Sequence, residues 1–222
     1  NDRFGVPPFD RIKAEHFEPA LTQAMSVHNA EIDAIVNNND EPTFENTILA
    51  YDNSGKLLER VELCFSMLCA AETNAQMQAV EQAMSPKLTA HSGAIMMNDG
   101  LFERVKSVYD RRGALGLDSL QIRLTEKLYR RFVRGGALLS AEDKEQLRKV
   151  DEELSSARVK YAANLLAANS GFEIVISNYD DLEGLPSSVR DAAATEASAR
   201  GLKGKWVFTT KKPSMLPFLT YS

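Results

Sequence analysis

Histidine is the side chain that most often binds a catalytic metal or moves a proton near neutral pH, and this sequence contains His16, His28 and His91. A zincin helix needs two histidines at positions i and i+4, with a glutamate directly after the first. None of the three is followed by a glutamate, and none has a second histidine four residues further on. The sequence therefore predicts that this chain contains no zinc site of the zincin type.

These histidines are better explained by packing and helix geometry. The cluster Glu-His-Phe-Glu at 15–18 could hold a metal, but it lies where a helix begins, and acidic residues there already complement the helix dipole. His28 falls on the apolar face of a helix, which favours a hydrogen-bonded core histidine over a metal ligand. His91 is interpreted as a surface or packing residue.

Other catalytic patterns are missing as well. Gly113 and Gly116 lack the Lys-Ser/Thr pair of a phosphate-binding loop, and no Gly-x-Ser-x-Gly nucleophile elbow occurs. Carboxylates are plentiful, but a catalytic pair cannot be chosen without geometry. Trp206 could line a ligand cleft or simply pack, and the methionines fit core packing. From the residues alone we predict no catalytic, cofactor-binding or metal-binding residue in this chain.

Composition narrows the class of protein. The 222 residues are 44% hydrophobic and 26% charged, which is typical of a globular protein with a core and excludes intrinsic disorder. The formal net charge of −5 argues against a dedicated nucleic-acid-binding protein. No apolar run approaches the ~18 residues that span a bilayer. We therefore predict neither nucleic acid nor membrane as a partner.

The two cysteines, Cys64 and Cys69, lie five residues apart on a predicted helix. They point ~140° apart, so they cannot form a disulfide with each other. Two small buried thiols fit a reducing compartment. We predict a cytoplasmic location, with the periplasm as the alternative.

Apolar periodicity and capping residues predict most of the secondary structure. A first helix seam spans about 80° of arc and consists of Phe17, Leu21, Ala24, His28, Ile32 and Ile35. A second helix is predicted from Pro42-Thr43 to about Ala70, and a third begins at a Thr73–Gln76 capping box and is expected to kink at Pro86. A fourth helix is predicted over 101–112. A fifth begins at an Asp118–Gln121 capping box and ends at Gly135-Gly136.

The second half of the chain begins with the longest predicted helix. It starts at Ser140 and stops at Ser170-Gly171. We expect the helix to pack on more than one neighbour through an apolar seam. The seam consists of Leu147, Val150, Leu154, Ala157, Tyr161, Leu165 and Ala168. Two strands, 172–176 and 205–210, flank a short helix at 187–199. Their direction is not fixed by the sequence, although a parallel pair would be expected to cross over right-handed.

We therefore predict a mainly α protein, an array of long helices with a small two-stranded β element near the C-terminus. Residues 1–171 form a helical domain, and 172–222 form a β-α-β appendage. A last helix is predicted to start at Ser214, and because the chain stops at Ser222 we expect a longer parent. Met215, Leu216, Phe218 and Leu219 would then be exposed in this chain, which predicts possible self-association.

Charge is uneven along the chain. Residues 1–100 hold 6 basic and 15 acidic side chains, whereas 101–222 hold 20 basic and 16 acidic ones. The region from Arg104 to Arg134 is either a set of solvated helix faces or a basic surface for an anionic partner. The second interpretation leaves open a free-standing helical protein-interaction module as an alternative function.

Several segments are more specific than helix packing requires. They are Phe4-Gly5-Val6-Pro7-Pro8-Phe9-Asp10-Arg11-Ile12-Lys13 with Glu15-His16-Phe17-Glu18-Pro19-Ala20, Pro42-Thr43-Phe44-Glu45-Asn46-Thr47-Ile48, Ser85-Pro86-Lys87-Leu88 with Ala90-His91-Ser92, and Gly204-Lys205-Trp206-Val207 leading into 213–221. In order, and over essentially the whole chain, they resemble the amino-terminal part of the thimet-oligopeptidase family of zinc metallopeptidases. The most similar branch is bacterial peptidyl-dipeptidase Dcp and oligopeptidase A.

The resemblance implies a longer, mostly helical peptidase with a deep, narrow channel that admits short peptides. It implies Zn²⁺ in the full-length parent, held by a His-Glu-x-x-His helix and a downstream glutamate, none of which falls within residues 1–222. Such enzymes release carboxyl-terminal dipeptides or cut peptides internally. For this chain the resemblance implies a channel wall and part of a lid, inactive alone and without a cofactor.

Overall fold

The computed structural model describes residues 6–221, and these are mainly helical, as predicted. Phe4 and Gly5 of the first resembling segment, and Ser222, lie outside the described residues. The helices are α1 Phe17–Val36, α2 Ala50–Asn53, α3 Lys56–Glu72, α4 Ala75–Met96, α5 Asp99–Arg111, α6 Ser119–Arg134, α7 Ala141–Gly171, α8 Ser187–Ala199 and α9 Lys212–Tyr221. The strands are β1 Glu173–Ile176 and β2 Trp206–Thr209. Within 6–221, no helix has both the length and the apolar character needed to cross a membrane.

The chain divides into two compact units, one ending at Val159 and one beginning at Lys160, so the division falls inside α7. The sequence-based domain boundary, between 171 and 172, coincides with the end of that helix. As a division into domains it stays a prediction.

The first unit has two apolar clusters. One joins α1, α5 and α6 through side chains that include Ile35, Leu101 and Phe132. The other joins α1, α3 and α4 through Leu21, Phe65 and Met84. The seam predicted on α1 is buried on both clusters, except that His28 is half-buried. Because α1 contributes to both clusters, it fixes the positions of α3 to α6 relative to each other.

Capping residues explain several helix starts. Asp118 accepts hydrogen bonds from the backbone N–H groups of Leu120 and Gln121, which confirms the predicted capping box. Ser140 Oγ accepts the N–H of Asp143, which confirms the predicted start of α7. Asn74, not Thr73, caps α4, since its side chain accepts the N–H groups of Gln76 and Met77. The Thr73–Gln76 capping box was therefore wrong: Thr73 ends α3 instead.

The helix predicted from Pro42-Thr43 to Ala70 is interrupted, so that prediction was wrong. Thr43 does cap its start by accepting the N–H of Asn46, and a wide π-helical turn, Phe44–Leu49, leads into α2. The chain then leaves the helix at Ser54, and Gly55 adopts a left-handed conformation with φ of 70° before α3 begins. By contrast, α4 continues through Pro86.

Helix α7 has the predicted extent, but its apolar seam is not buried among the described residues. Val150 is 58% exposed and Tyr161 69% exposed, and Leu154 and Leu165 are exposed too. The buried side chains of α7 are polar. Lys144 pairs with Asp99, and Ser155 Oγ lies 3.1 Å from Ser85 Oγ and 3.0 Å from Thr89 Oγ1. Polar contacts with α4 and α5 therefore hold the beginning of α7 in place within the first unit.

The second unit contains the predicted β-α-β arrangement. Strands β1 and β2 pair antiparallel, with Ile174 opposite Phe208, so a parallel crossover is excluded. Leu182, Leu185, Ala193 and Phe208 form its buried cluster. The last helix begins at Lys212 rather than at Ser214, whose Oγ instead accepts the N–H of Thr209. Ser214 therefore lies inside α9, and its hydroxyl bonds to the end of β2 instead of capping the helix start as predicted.

Candidate functional site

A hydrogen-bonded histidine pair lies in a pocket of the first unit. His28 on α1 and His91 on α4 approach with His28 Nδ1 and His91 Nε2 3.0 Å apart. Their ring centroids are 5.0 Å apart, in an edge-to-face arrangement. On the other side of the first ring, His28 Nε2 lies 3.3 Å from Ser54 Oγ. Residues from three separate segments of the chain thus form one hydrogen-bonded group.

The turn between α2 and α3 positions this group. Gly55 has a positive φ that L residues adopt only with strain, and a Cβ placed there would lie 2.8 Å from His28 Cε1. The Gly55 N–H also donates to Glu31 Oε2 over 2.7 Å. The left-handed turn therefore brings the backbone against the imidazole ring and places Ser54 within reach of it.

The direction of the hydrogen bonds follows from the serine. Ser54 Oγ–H donates to the carbonyl of Tyr51 over 2.7 Å, so its oxygen is left to accept from His28 Nε2–H. A neutral imidazole has one N–H, so His28 Nδ1 is then an acceptor for His91 Nε2–H. The donors run in one direction, from His91 through His28 and Ser54 to the Tyr51 carbonyl.

Burial favours the neutral form of both imidazoles. Desolvation lowers the pKa of His28, and the negative charge of Glu31 offsets part of that effect. Desolvation and the neighbouring His28 both lower the pKa of His91. The single run of donors requires a neutral His28, since a proton on His28 Nδ1 would oppose N–H to N–H across 3.0 Å.

The pocket around the pair has a volume of about 300 Å³. Its charged lining comprises Asp52, Glu59, Glu62 and Arg131, and Tyr51 adds a hydroxyl. Burial and the adjacent Glu59 raise the pKa of Glu62. Burial likewise raises the pKa of Tyr51, although the positive charge of Arg131 acts in the opposite direction. The pocket can therefore offer hydrogen bonds and both signs of charge to a polar ligand.

The geometry does not support nucleophilic catalysis or a metal here. His28 directs an N–H at Ser54, so it cannot take the proton of that hydroxyl as a catalytic base would. Among residues 6–221, no group of three or more His, Cys, Asp or Glu side chains is placed to hold a metal ion. The resemblance places its zinc ligands outside residues 1–222, so this pocket is not the place where it implies a metal.

The structure also places the other residues considered from the sequence. His16 Nδ1 accepts the N–H of Lys13, and Glu18 pairs with Lys87 at 3.2 Å, so the 15–18 cluster is part of a helix start. Cys64 and Cys69 are free thiols, as expected from their spacing. Trp206 packs edge-on against Tyr179 at the second unit's apolar cluster, which favours packing over a ligand cleft.

The basic region from Arg104 to Arg134 separates into two parts. Arg104 is buried and donates to the carbonyls of Asn38 and Asp40, while Arg111 and Arg112 pair with carboxylates. The later part of the region, on α6, is different. There a pocket of about 360 Å³ is lined by five basic side chains, which we call the α6 basic strip: Arg123, Lys127, Arg130, Arg131 and Arg134.

Sequence reasoning missed the histidine pair itself. His28 was expected to be hydrogen-bonded, and it is, but its partner is 63 positions away in the chain. No local pattern signals such a contact, because the two residues lie on different helices that tertiary packing brings together. The run of turn-forming residues Asp52-Asn53-Ser54-Gly55 was a local clue to a break in the predicted second helix.

No protein-family model matches this chain. It is 37% identical over 216 residues to dipeptidyl carboxypeptidase of Salmonella typhimurium, a match that covers 96% of this chain and 32% of the relative. It is 38% identical to dipeptidyl carboxypeptidase of Escherichia coli, over 95% of this chain and 31% of the relative. Oligopeptidase A of Haemophilus influenzae is 29% identical, over 98% of this chain and 32% of the relative.

The chain thus spans about a third of the length of the curated relatives it matches. The matches extend over nearly all of its residues, as the segments quoted from the sequence predict. This chain is therefore a homologue of the dipeptidyl carboxypeptidase and oligopeptidase A peptidases, and it corresponds to about a third of their length.

Proposed function

We propose that this chain is the amino-terminal part of a zinc metallopeptidase that hydrolyses short peptides. The single observation that carries the proposal is the match to named peptidases over 96% of the chain and 32% of the relative. Zinc would be held by residues of the longer protein beyond these 222, because those described in 6–221 include no cluster of metal-ligand type.

The sequence identities favour release of carboxyl-terminal dipeptides over internal cleavage of peptides. They are 37% and 38% with the two dipeptidyl carboxypeptidases, against 29% and 26% with oligopeptidase A from two bacteria. We therefore propose release of dipeptides from peptide carboxyl termini in preference to internal cleavage. Short peptides are the proposed partners of the whole protein.

The proposed role of this chain is to shape the space that substrates enter. Its longest helices, α4 with 22 residues and α7 with 31, are rigid elements suited to a channel wall. The exposed seam of α7 is an apolar surface that a further part of the protein could cover. Exclusion of large substrates would then follow from shape rather than from any catalytic group in this chain.

The test compares the protein encoded by the complete reading frame with this chain alone. We expect the longer protein to release dipeptides from an unstructured peptide, as seen by mass spectrometry, and to stop when a chelator is added. We expect this chain to cleave nothing, with or without added zinc. Hydrolysis that resists chelation, or a complete protein that cleaves no peptide, would overturn the proposal.

Two further proposals concern the state of the protein. The free thiols of Cys64 and Cys69 support the cytoplasm, with the periplasm as the alternative. Of the four α9 side chains expected to be exposed, Leu216 and Leu219 are exposed, whereas Met215 and Phe218 are half-buried and Phe218 packs against Phe208. The exposure of Leu216 and Leu219 supports self-association of this chain through α9. Light scattering across a concentration series tests this, and a constant monomer mass would count against it.

A further inference from the structure

The α6 basic strip concentrates positive charge on one helix face. Its members lie at positions i, i+4, i+7, i+8 and i+11 of α6, which are neighbours along one side of a helix. All five are exposed, and together they line the pocket of about 360 Å³ without any acidic residue among them. Like charges this close repel one another, so the strip lowers its own energy when an anion binds.

Among the described residues, only one of the five side chains of the strip, Arg130, forms an ion pair. Glu126 is the acidic residue of α6, and it lies 3.3 Å from Arg112 and 3.6 Å from Arg130. Across residues 6–221, no ion pair is formed by Arg123, Lys127, Arg131 or Arg134. This contrasts with Arg104, Arg111 and Arg112, whose guanidinium groups all bond to other parts of the chain.

The dimensions of the strip indicate the size of its ligand. From Arg123 to Arg134 the helix rises about 16 Å, at about 1.5 Å per residue. An extended peptide advances about 3.3 Å per residue, so roughly five residues would lie along the strip. A carboxylate on such a peptide can accept two hydrogen bonds from one guanidinium group, which is a geometry that arginine provides and lysine does not.

The lining also distinguishes between classes of polyanion. Sites for single-stranded nucleic acid combine basic grooves with aromatic side chains on which bases stack. None of the five lining residues is aromatic, and the nearby ring of Tyr129 already stacks on Tyr109 with centroids 3.9 Å apart. The net charge of −5 for the chain also disfavours a long polyanion. These features favour a short acidic peptide.

We propose that the α6 basic strip is a binding site for acidic peptide segments of about five residues. The choice of a peptide rests on the proposed function, in which short peptides are the substrates. The proposed function alone does not say which peptides are preferred. The α6 basic strip would make the protein prefer peptides with several Asp or Glu side chains. Binding requires α6 alone, so it is measured on this chain without any cleavage.

The experiment uses fluorescence anisotropy at low ionic strength with labelled, terminally blocked pentaglutamate, pentaglutamine and oligothymidylate of five nucleotides. The test variant combines Arg123→Gln, Lys127→Gln and Arg134→Gln. The matched control combines Arg60→Gln, Arg158→Gln and Lys160→Gln, which removes the same charge from three exposed residues with no ion pair in residues 6–221. Circular dichroism checks that both variants fold.

We expect pentaglutamate to bind, pentaglutamine not to bind, and the test variant to weaken pentaglutamate binding about tenfold. The control should weaken it less than about twofold. Equal weakening by both variants, or no pentaglutamate binding, would overturn the site, and tighter binding of the oligonucleotide would overturn its assignment to peptides. A complete protein that cleaves no peptide would refute the proposed function while leaving this binding result intact.

Discussion

Replacing Gly55 with alanine tests how closely the turn between α2 and α3 holds the histidine pair. The new Cβ would sit in a left-handed conformation, which costs an L residue about 1–2 kcal/mol. It would also lie 2.8 Å from His28 Cε1 and 3.0 Å from His28 Nε2, closer than a Cβ normally lies to a carbon or nitrogen atom of another residue. The ring must move, and displacing packed groups costs about 1–3 kcal/mol more.

The expected total for Gly55→Ala is a decrease of about 2–5 kcal/mol in the free energy of unfolding, measured by urea denaturation. At about 2–4 °C per kcal/mol, the melting temperature should fall by about 4–20 °C. Gly116→Ala is the matched control, because Gly116 has a φ of 67° but no atom within 4 Å of the added Cβ. It should therefore show the conformational cost alone, about 1–2 kcal/mol.

A double-mutant cycle isolates the contact with the ring. In a His28→Ala background the imidazole is gone, so Gly55→Ala should cost no more than Gly116→Ala does. If Gly55→Ala is as mild as Gly116→Ala when His28 is present, the turn does not hold the ring. Such a result would refute a positioning role of Gly55 for the histidine group.

Three other measurements test different parts of the first unit. Arg104→Met should lower the free energy of unfolding, measured by urea denaturation, by about 2–4 kcal/mol, because the buried Arg104 donates hydrogen bonds to two backbone carbonyls. A loss below about 1 kcal/mol would contradict that role. Because the pKa values of His28 and His91 are lowered in the folded chain, the unfolded chain binds more protons as the pH falls below 6.5. The free energy of unfolding should therefore decrease below that pH. In a pH series of melting curves, a variant with His28→Gln and His91→Gln should show a shallower decrease. Burial raises the pKa of Cys69 to about 11 and also raises the pKa of Cys64. Both thiols should therefore react slowly with a disulfide reagent at about pH 8 in the folded chain, and quickly once urea has unfolded it.

Local signals in the sequence were sufficient for most helices. The capping boxes at Asp118 and Thr43 depend on residues three positions apart, so a short stretch of sequence contains everything that forms them. The same reasoning failed at Thr73, because Asn74 is an equally good cap one residue later and the two compete for the same N–H groups. The break at Gly55 was missed because apolar periodicity continues on both sides of it.

Features that depend on distant residues were not predicted. The contact between His28 and His91 needs α1 and α4 to pack, and the burial of Ser155 needs two hydroxyl partners on α4. The apolar spacing of α7 correctly predicted a helix, but spacing cannot say whether a partner covers the seam, and Val150 and Tyr161 remain exposed. The α6 basic strip was contained in the basic region proposed from the sequence, yet separating it from Arg104 required knowing which cations were already paired.

The one-way run of donors from His91 to the Tyr51 carbonyl determines where the first proton would be taken up in acid. His91 uses Nε2–H to reach its neighbour, so its lone pair is on Nδ1, and a proton added there leaves every existing bond intact. A second proton has to occupy His28 Nδ1, which is the atom that accepts from His91. Acidification would thus act on this group in two stages, a first protonation that the geometry accommodates and a second that separates the rings.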